Sequence, residues 1–157
     1  VDNVPPEMLE QGRLEPTLMA AKEYGGKHPD EFGGVEWAWE PMRVVFLATA
    51  HLDQHRHALR SGVPHPDRLE VRRCRHTELQ VHLWIDEVKQ RLHDRHQELH
   101  VTGFGQGHSD EGFTVQVTIW PWSEQAAERV RSALAPIPVE VDARPRAQLI
   151  PPYRGSL

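Results

Sequence analysis

Slid along itself, the sequence matches twice. A shift of 71 positions places Val44 on Val115, Phe46 on Val117 and Arg60 on Arg131. After a one-residue deletion, a shift of 70 places Leu69 on Val139, Val71 on Val141 and Leu79 on Leu149. Strand-like residues 43–49 thus align with 114–120, and 68–74 with 138–144. Self-similarity of this kind marks duplication of a supersecondary unit whose apolar face needs a partner. Nearly every position expected to face solvent differs between the copies.

Local patterns supply the elements. Residues 6–24 carry Met8, Leu9, Leu14, Leu18, Met19 and Ala20 at loosely helical spacing, interrupted by Gly12 and Pro16, so two short helices or one broken helix are expected. Gly25, Gly26, Pro29, Gly33 and Gly34 then read as a turn-rich connection. Val35–Trp39 repeats apolar and aromatic residues at period two, and Pro41 separates it from Arg43–Thr49, which is rich in strand formers; together they read as a hairpin. Leu52–Ser61 turns helical, with Leu52, His55, Ala58 and Leu59 on one face and Gly62 at its end. Leu69 and Val71 alternate with charges in a third strand. Thr77 caps a helix reaching about residue 96, with Leu79, Val81, Leu83, Trp84, Val88 and Leu92 as its stripe. Strands at 99–104 and 113–120 are expected to flank a loop from Gly105 to Gly112. Ser123 caps a helix carrying Ala126, Ala127, Val130 and Leu134, Pro136 and Pro138 end it, and Val139 and Val141 form the last strand.

The order is helix, strand, strand, helix, strand, given twice, which is an α+β fold. A right-handed crossover makes each copy a three-stranded sheet covered by helices on one face. The copies divide at residues 1–75 and 76–157, the second ending in an extended tail marked by Pro145, Pro151 and Pro152, and they are close-packed or form one compact domain.

Charge excludes some functions. The net charge is -5 and the basic residues are scattered among acids, so no nucleic-acid footprint is present. No apolar run reaches the ~18 residues of a membrane helix. Val1-Asp2-Asn3-Val4-Pro5 lacks a signal pattern, so the expectation is cytoplasmic, or exported if a signal has been removed ahead of Val1. Arginine supplies 15 of the 18 basic residues, which suggests a bacterial gene of high G+C content. Cys74 is the single cysteine; it excludes an internal disulfide and reads as a small buried strand residue.

Phe32-Gly-Gly-Val35, the strand Arg43–Thr49, the helical His55-Arg-His-Ala-Leu-Arg60, and His65-Pro-Asp-Arg-Leu-Glu-Val71 followed by Glu78-Leu79 resemble a small domain of uncharacterised high-GC bacterial proteins. The same stretch is similar to the pro-regions of secreted serine proteases of the streptogrisin and α-lytic type. The likeness covers residues 32–90 best and 98–149 weakly. It implies a chaperone or inhibitor of a protease as one function.

Eleven histidines raise metal binding as an alternative. His51 and His55, four residues apart, face one side of a helix beside Asp53, a donor set for zinc or another transition metal and, by extension, a metalloenzyme. The zincin helix needs Glu where Leu52 stands, so a protease of that type is not expected. His93, His96 and His100 form a second group, and His108 and Asp110 lie in the glycine-rich loop; imidazolium near a helix C-terminus is also favourable without any metal. Ser61, Ser109, Ser123 and Ser156 lie in no G-x-S-x-G, and Gly103-Phe-Gly-Gln-Gly-His108 is followed by no Lys-Ser/Thr. Trp37 and Trp39 are expected on one strand face and Trp120 and Trp122 at a strand end, either as core or as an exposed binding platform. The leading expectation is a non-catalytic interaction module without cofactor. It would engage a protein partner or its own copy through an open sheet face, an edge, or these tryptophans.

Overall fold

A computed structural model describes residues 4–143 of the chain. The elements run α1 (Pro6–Gly26), β1 (Phe32–Ala38), β2 (Arg43–Ala48), α2 (Leu52–Gly62), β3 (Leu69–Arg73), α3 (Glu78–Leu92), β4 (Val101–Ser109), β5 (Gly112–Ile119), α4 (Glu124–Leu134) and β6 (Val139–Ala143). The duplicated α+β unit is therefore present: two three-stranded sheets, ordered β1-β2-β3 and β4-β5-β6. In the first sheet β2 pairs antiparallel with β1 and parallel with β3, which puts α2 in the crossover.

The parallel registers reproduce the sequence alignment residue for residue. Val44 lies opposite Leu69 and Phe46 opposite Val71, while Val115 lies opposite Val139 and Val117 opposite Val141. Pairs related by shifts of 71 and 70 remain pairs in the second sheet. The match of Leu79 with Leu149 lies outside the described residues, as does most of the expected tail.

Two compact units result, one reaching Gln80 and including Ser109–Phe113, the other comprising Val81–His108 and the chain from Thr114. In the first, Val44, Phe46 and Ala48 meet Leu14 and Ala21 of α1 and Leu59 of α2. Side chains alternate along a strand, so Val45 and Leu47 leave by the opposite face. They are also buried, against Cys74, Ala38 and Phe113. No apolar face of β2 is left open, because the Ser109–Phe113 hairpin tip closes it. In the second unit Val115, Val117 and Ile119 are buried with Ala126, Ala127, Val130 and Leu134 of α4. The other face of β5 is polar: Thr102 Oγ1 bonds Thr118 Oγ1 at 3.1 Å, and Gln116 Nε2 donates to Asp142 at 3.3 Å.

Four local expectations are corrected. Helix α1 runs unbroken through Pro16 to Gly26, because Leu14, Thr17, Ala21 and Gly25 are buried on both sides of the proline and hold the turns together. Gly25 is buried within this helix and is not part of the connection, and its missing Cβ lets the Phe32 ring lie against it. The Gly105–His108 stretch is strand, not loop; β4 continues to Ser109 and only Asp110 and Glu111 turn the chain. Helix α3 stops at Leu92, and Leu79 and Leu83 from its expected apolar stripe are exposed. The Thr77 and Ser123 caps form as expected, bonding the amides of Gln80 at 3.1 Å and Ala126 at 3.0 Å. Among the described residues, no helix is long and apolar enough to cross a membrane.

Cys74 is buried just beyond β3, and burial pushes its thiol up to about 11. Only the thiolate alkylates, and an ordinary free cysteine near pKa ~8.5 is about a quarter thiolate at pH 8. Native protein is expected to react with iodoacetamide at least ~100-fold more slowly than protein unfolded in urea, read by mass spectrometry. Equal rates would show the thiol to be accessible.

Candidate functional site

The first candidate grows from one substitution between the copies. The buried face of α2 carries His55, where the shift of 71 puts Ala126 on the buried face of α4. The fold accepts alanine there, so the imidazole is an addition to it. At 3% exposure both ring nitrogens need partners. Tyr24 Oη lies 2.9 Å from Nδ1, and Glu31 Oε2 lies 2.6 Å from Nε2. The second Glu31 oxygen lies 2.7 Å from His51 Nδ1. An ionised carboxylate only accepts, so Nε2 carries a proton, and a neutral ring then accepts the Tyr24 O–H at Nδ1. His28 completes the cluster, its ring 4.3 Å from Tyr24 and 5.5 Å, edge-on, from His55.

Bonds from His51 and then His55 hold the Glu31 carboxyl below the usual carboxylate range. Burial, and secondarily the Glu31 charge, push the Tyr24 phenol up. The constellation is hydroxyl, imidazole, carboxylate. A nucleophilic phenolate needs a lowered pKa, however, and this phenol is held more firmly as a phenol. Its chemistry is positioning: it ties α1, the segment ahead of β1 and the start of α2 to one buried ring.

The proposed metal donors are arranged differently from a helical pair. His51 lies outside α2 as its N-terminal cap, in left-handed backbone at φ 51°, a region uncommon for a residue with a side chain. His51 and His55 each take a different oxygen of Glu31. Asp53, with its side chain 97% exposed, pairs with Arg56 instead. Among the described residues no set of three His, Cys, Asp or Glu side chains is placed to hold a metal ion. Glu31 and Tyr24 carried no signal in the sequence, because nothing in spacing connects them to His55.

The tryptophans separate. Trp37 packs against the first core, whereas Trp39 lies beyond the end of β1 at 55% exposure, so the two do not share a strand face. Trp120 and Trp122 are 49% and 39% exposed. Trp120 lines an open cleft of about 340 Å³ in the second unit with His96, Gln97, His100, Val101 and Thr102. The Trp120 amide donates to His100 O at 2.9 Å, and His100 holds φ 56°. The His96 ring stacks on Phe104 with centroids 6.1 Å apart. Two histidines and a tryptophan that the sequence presents as unrelated features thus meet at one place. His93 takes no part in this cleft and lies beside Asp94.

No known protein-family model matches this chain, and no curated protein matches it significantly.

Proposed function

We propose that the chain is a non-catalytic binding module for a protein partner, with its principal contact at the Trp120 cleft. The observation that carries this reading is Trp120 itself, a large indole half exposed on the wall of an open cleft instead of buried in the adjacent core. Tryptophans in such places anchor interfaces, because the ring supplies apolar area while its N–H seeks a partner. His96, Gln97, His100 and Thr102 add polar groups around it, and specificity in such clefts comes from a few placed polar groups.

A photo-crosslinking amino acid in place of Trp120 is expected to capture a partner that the same group in place of the exposed Lys22 does not. Against that partner, purified Trp120→Ala should lose at least ~10-fold in affinity by calorimetry, the scale of an interface anchor. Capture at both positions alike, or unchanged affinity, would refute the reading.

A further inference from the structure

We infer that the groove between α2 and the free edge of β3 binds an acidic, extended segment of a partner protein as an added strand. This surface lies in the first unit and is independent of the Trp120 cleft.

The strand order leaves β3 at the edge of its sheet, and an edge strand presents unpaired backbone groups that template a further strand. Beside it is a groove of about 410 Å³ lined by Arg56 and Arg60 of α2, Pro66, and Leu69, Glu70 and Val71. Arg56 reaches over this edge, with Nη2 3.4 Å from Val71 O and Nη1 paired with the solvent-exposed Asp53, a carboxylate that an incoming acid would displace. Glu70, the carboxylate in the groove, is already held by Arg43 at 2.6 Å and Arg72 at 3.0 Å. Arg60 has no partner among the described residues. The other arginines nearby are engaged within the fold, Arg68 with Glu10, Arg72 with Glu36 and Glu70, Arg73 with Thr49 O and Arg75 with Glu111, so Arg60 is the guanidinium left for a ligand.

The duplication supplies the control. The second copy repeats this strand-helix-strand with the same register. Yet Ala127 stands at the position of Arg56, and Arg131, which repeats Arg60, is paired with Glu128 at 3.5 Å where the first copy has His57. Residues 124–143 hold two arginines against four carboxylates. The second copy folds without a counterpart of Arg56 and with its own arginine paired, so the architecture does not require an unpaired guanidinium beside this strand.

Spacing fixes what the segment looks like. Arg56 and Arg60 are four residues apart on a helix, about 6 Å along its axis. Side chains on one face of a strand repeat at about 6.7 Å. An acid at every second position therefore meets both guanidiniums, while the intervening backbone amides bond β3. Charge-assisted pairs to arginine are the strong contacts of such a site.

The test uses the full chain and a fluorescein-labelled hexapeptide of alternating glutamate and valine, followed by anisotropy. Saturable binding is expected, weakening with added salt. The double substitution Arg56→Ala, Arg60→Ala should weaken it at least ~10-fold, and Lys89→Ala, which removes an exposed charge away from the groove, should leave it unchanged. A lysine-for-glutamate peptide should not bind. A peptide N-methylated at alternate amides should lose binding with its charge intact, because strand addition needs the N–H groups. The pair Arg56→Glu, Arg60→Glu should reverse the preference toward the lysine peptide, which separates lost contacts from lost folding. Equal binding by the alanine variant, by the lysine peptide, or by peptides N-methylated on each of the two alternate sets of amides would overturn the proposal. So would β3-dependent dimerisation of the chain with no peptide binding.

Discussion

Replacing Gly112 with alanine is expected to destabilise the first unit by about 3 kcal/mol, the sum of a strained backbone and an overpacked contact. Gly112 begins β5 at φ 103°, a conformation that side chains rarely adopt. A Cβ there would lie 2.7 Å from Cys74 Cβ and 3.7 Å from its Cα. The cysteine cannot yield cheaply, because its own amide is bonded to Ala48 O at 2.9 Å at the end of the β2–β3 ladder. The neighbouring Arg75 amide is bonded to Glu111 O at 2.9 Å, so the hairpin tip is docked on both sides of the contact. Gly105→Ala is the control: its Cβ would meet nothing within 4 Å. Urea unfolding followed by tryptophan fluorescence should show a large drop in midpoint for the first variant and little change for the second. Similar midpoints would mean that the hairpin tip does not seal the second face of the first sheet.

This contact also shows where sequence patterns stop being informative. Alternation at Phe113, Val115, Val117 and Ile119 marks β5, because a strand buried on one face must keep its apolar residues at period two, while the unbroken apolar run Val44–Ala48 marks β2, which is buried on both faces. Caps at Thr77 and Ser123 were legible because each is a local bond between a hydroxyl and an amide three residues on. Gly112 carries the usual signature of a loop residue, yet it is a glycine because Cys74, 38 positions earlier, comes against it. Pro16 is a helix breaker by local rule, overridden by burial of Leu14, Thr17 and Ala21. Trp39, Glu31 and the meeting of His96, His100 and Trp120 are set by tertiary placement, which composition and periodicity do not encode.

The two copies share a frame and part at adjacent positions. His55 and Arg56 occupy the places of Ala126 and Ala127. One points into the first unit and recruits Tyr24 and Glu31; the other runs out along the β3 edge. Two neighbouring alanines suffice for the helix and its packing in the second copy. What distinguishes the first copy is therefore polar chemistry laid on a common scaffold, and this makes its α2 the element on which substitutions should be most informative.

His55→Ala is the substitution there with the largest expected cost, about 2–4 kcal/mol, since it empties a buried ring-sized space and leaves the Tyr24 hydroxyl and a Glu31 oxygen without their partner. Helix formation is not the cause, because alanine serves at the matching position of α4. Circular dichroism should keep its helical amplitude while the urea midpoint falls. The same network gives an acid dependence whose sign follows from Glu31. Its carboxyl is held below the ordinary value of 4.5 by His51 and His55. A group depressed in the folded state contributes fully above the unfolded value and loses that contribution as pH falls through the folded one. Wild-type stability should therefore decline from pH 4.5 downward, and Glu31→Gln, which has no carboxyl to protonate, should decline less steeply. His55→Ala should also flatten the profile, because one of the two bonds holding the carboxyl down is gone. If all three proteins lost stability in parallel between neutral pH and the acid limb, the Tyr24–His55–Glu31–His51 chain would not be a coupled network in solution. The polar addition to the first copy would then be four separate side chains that happen to be close.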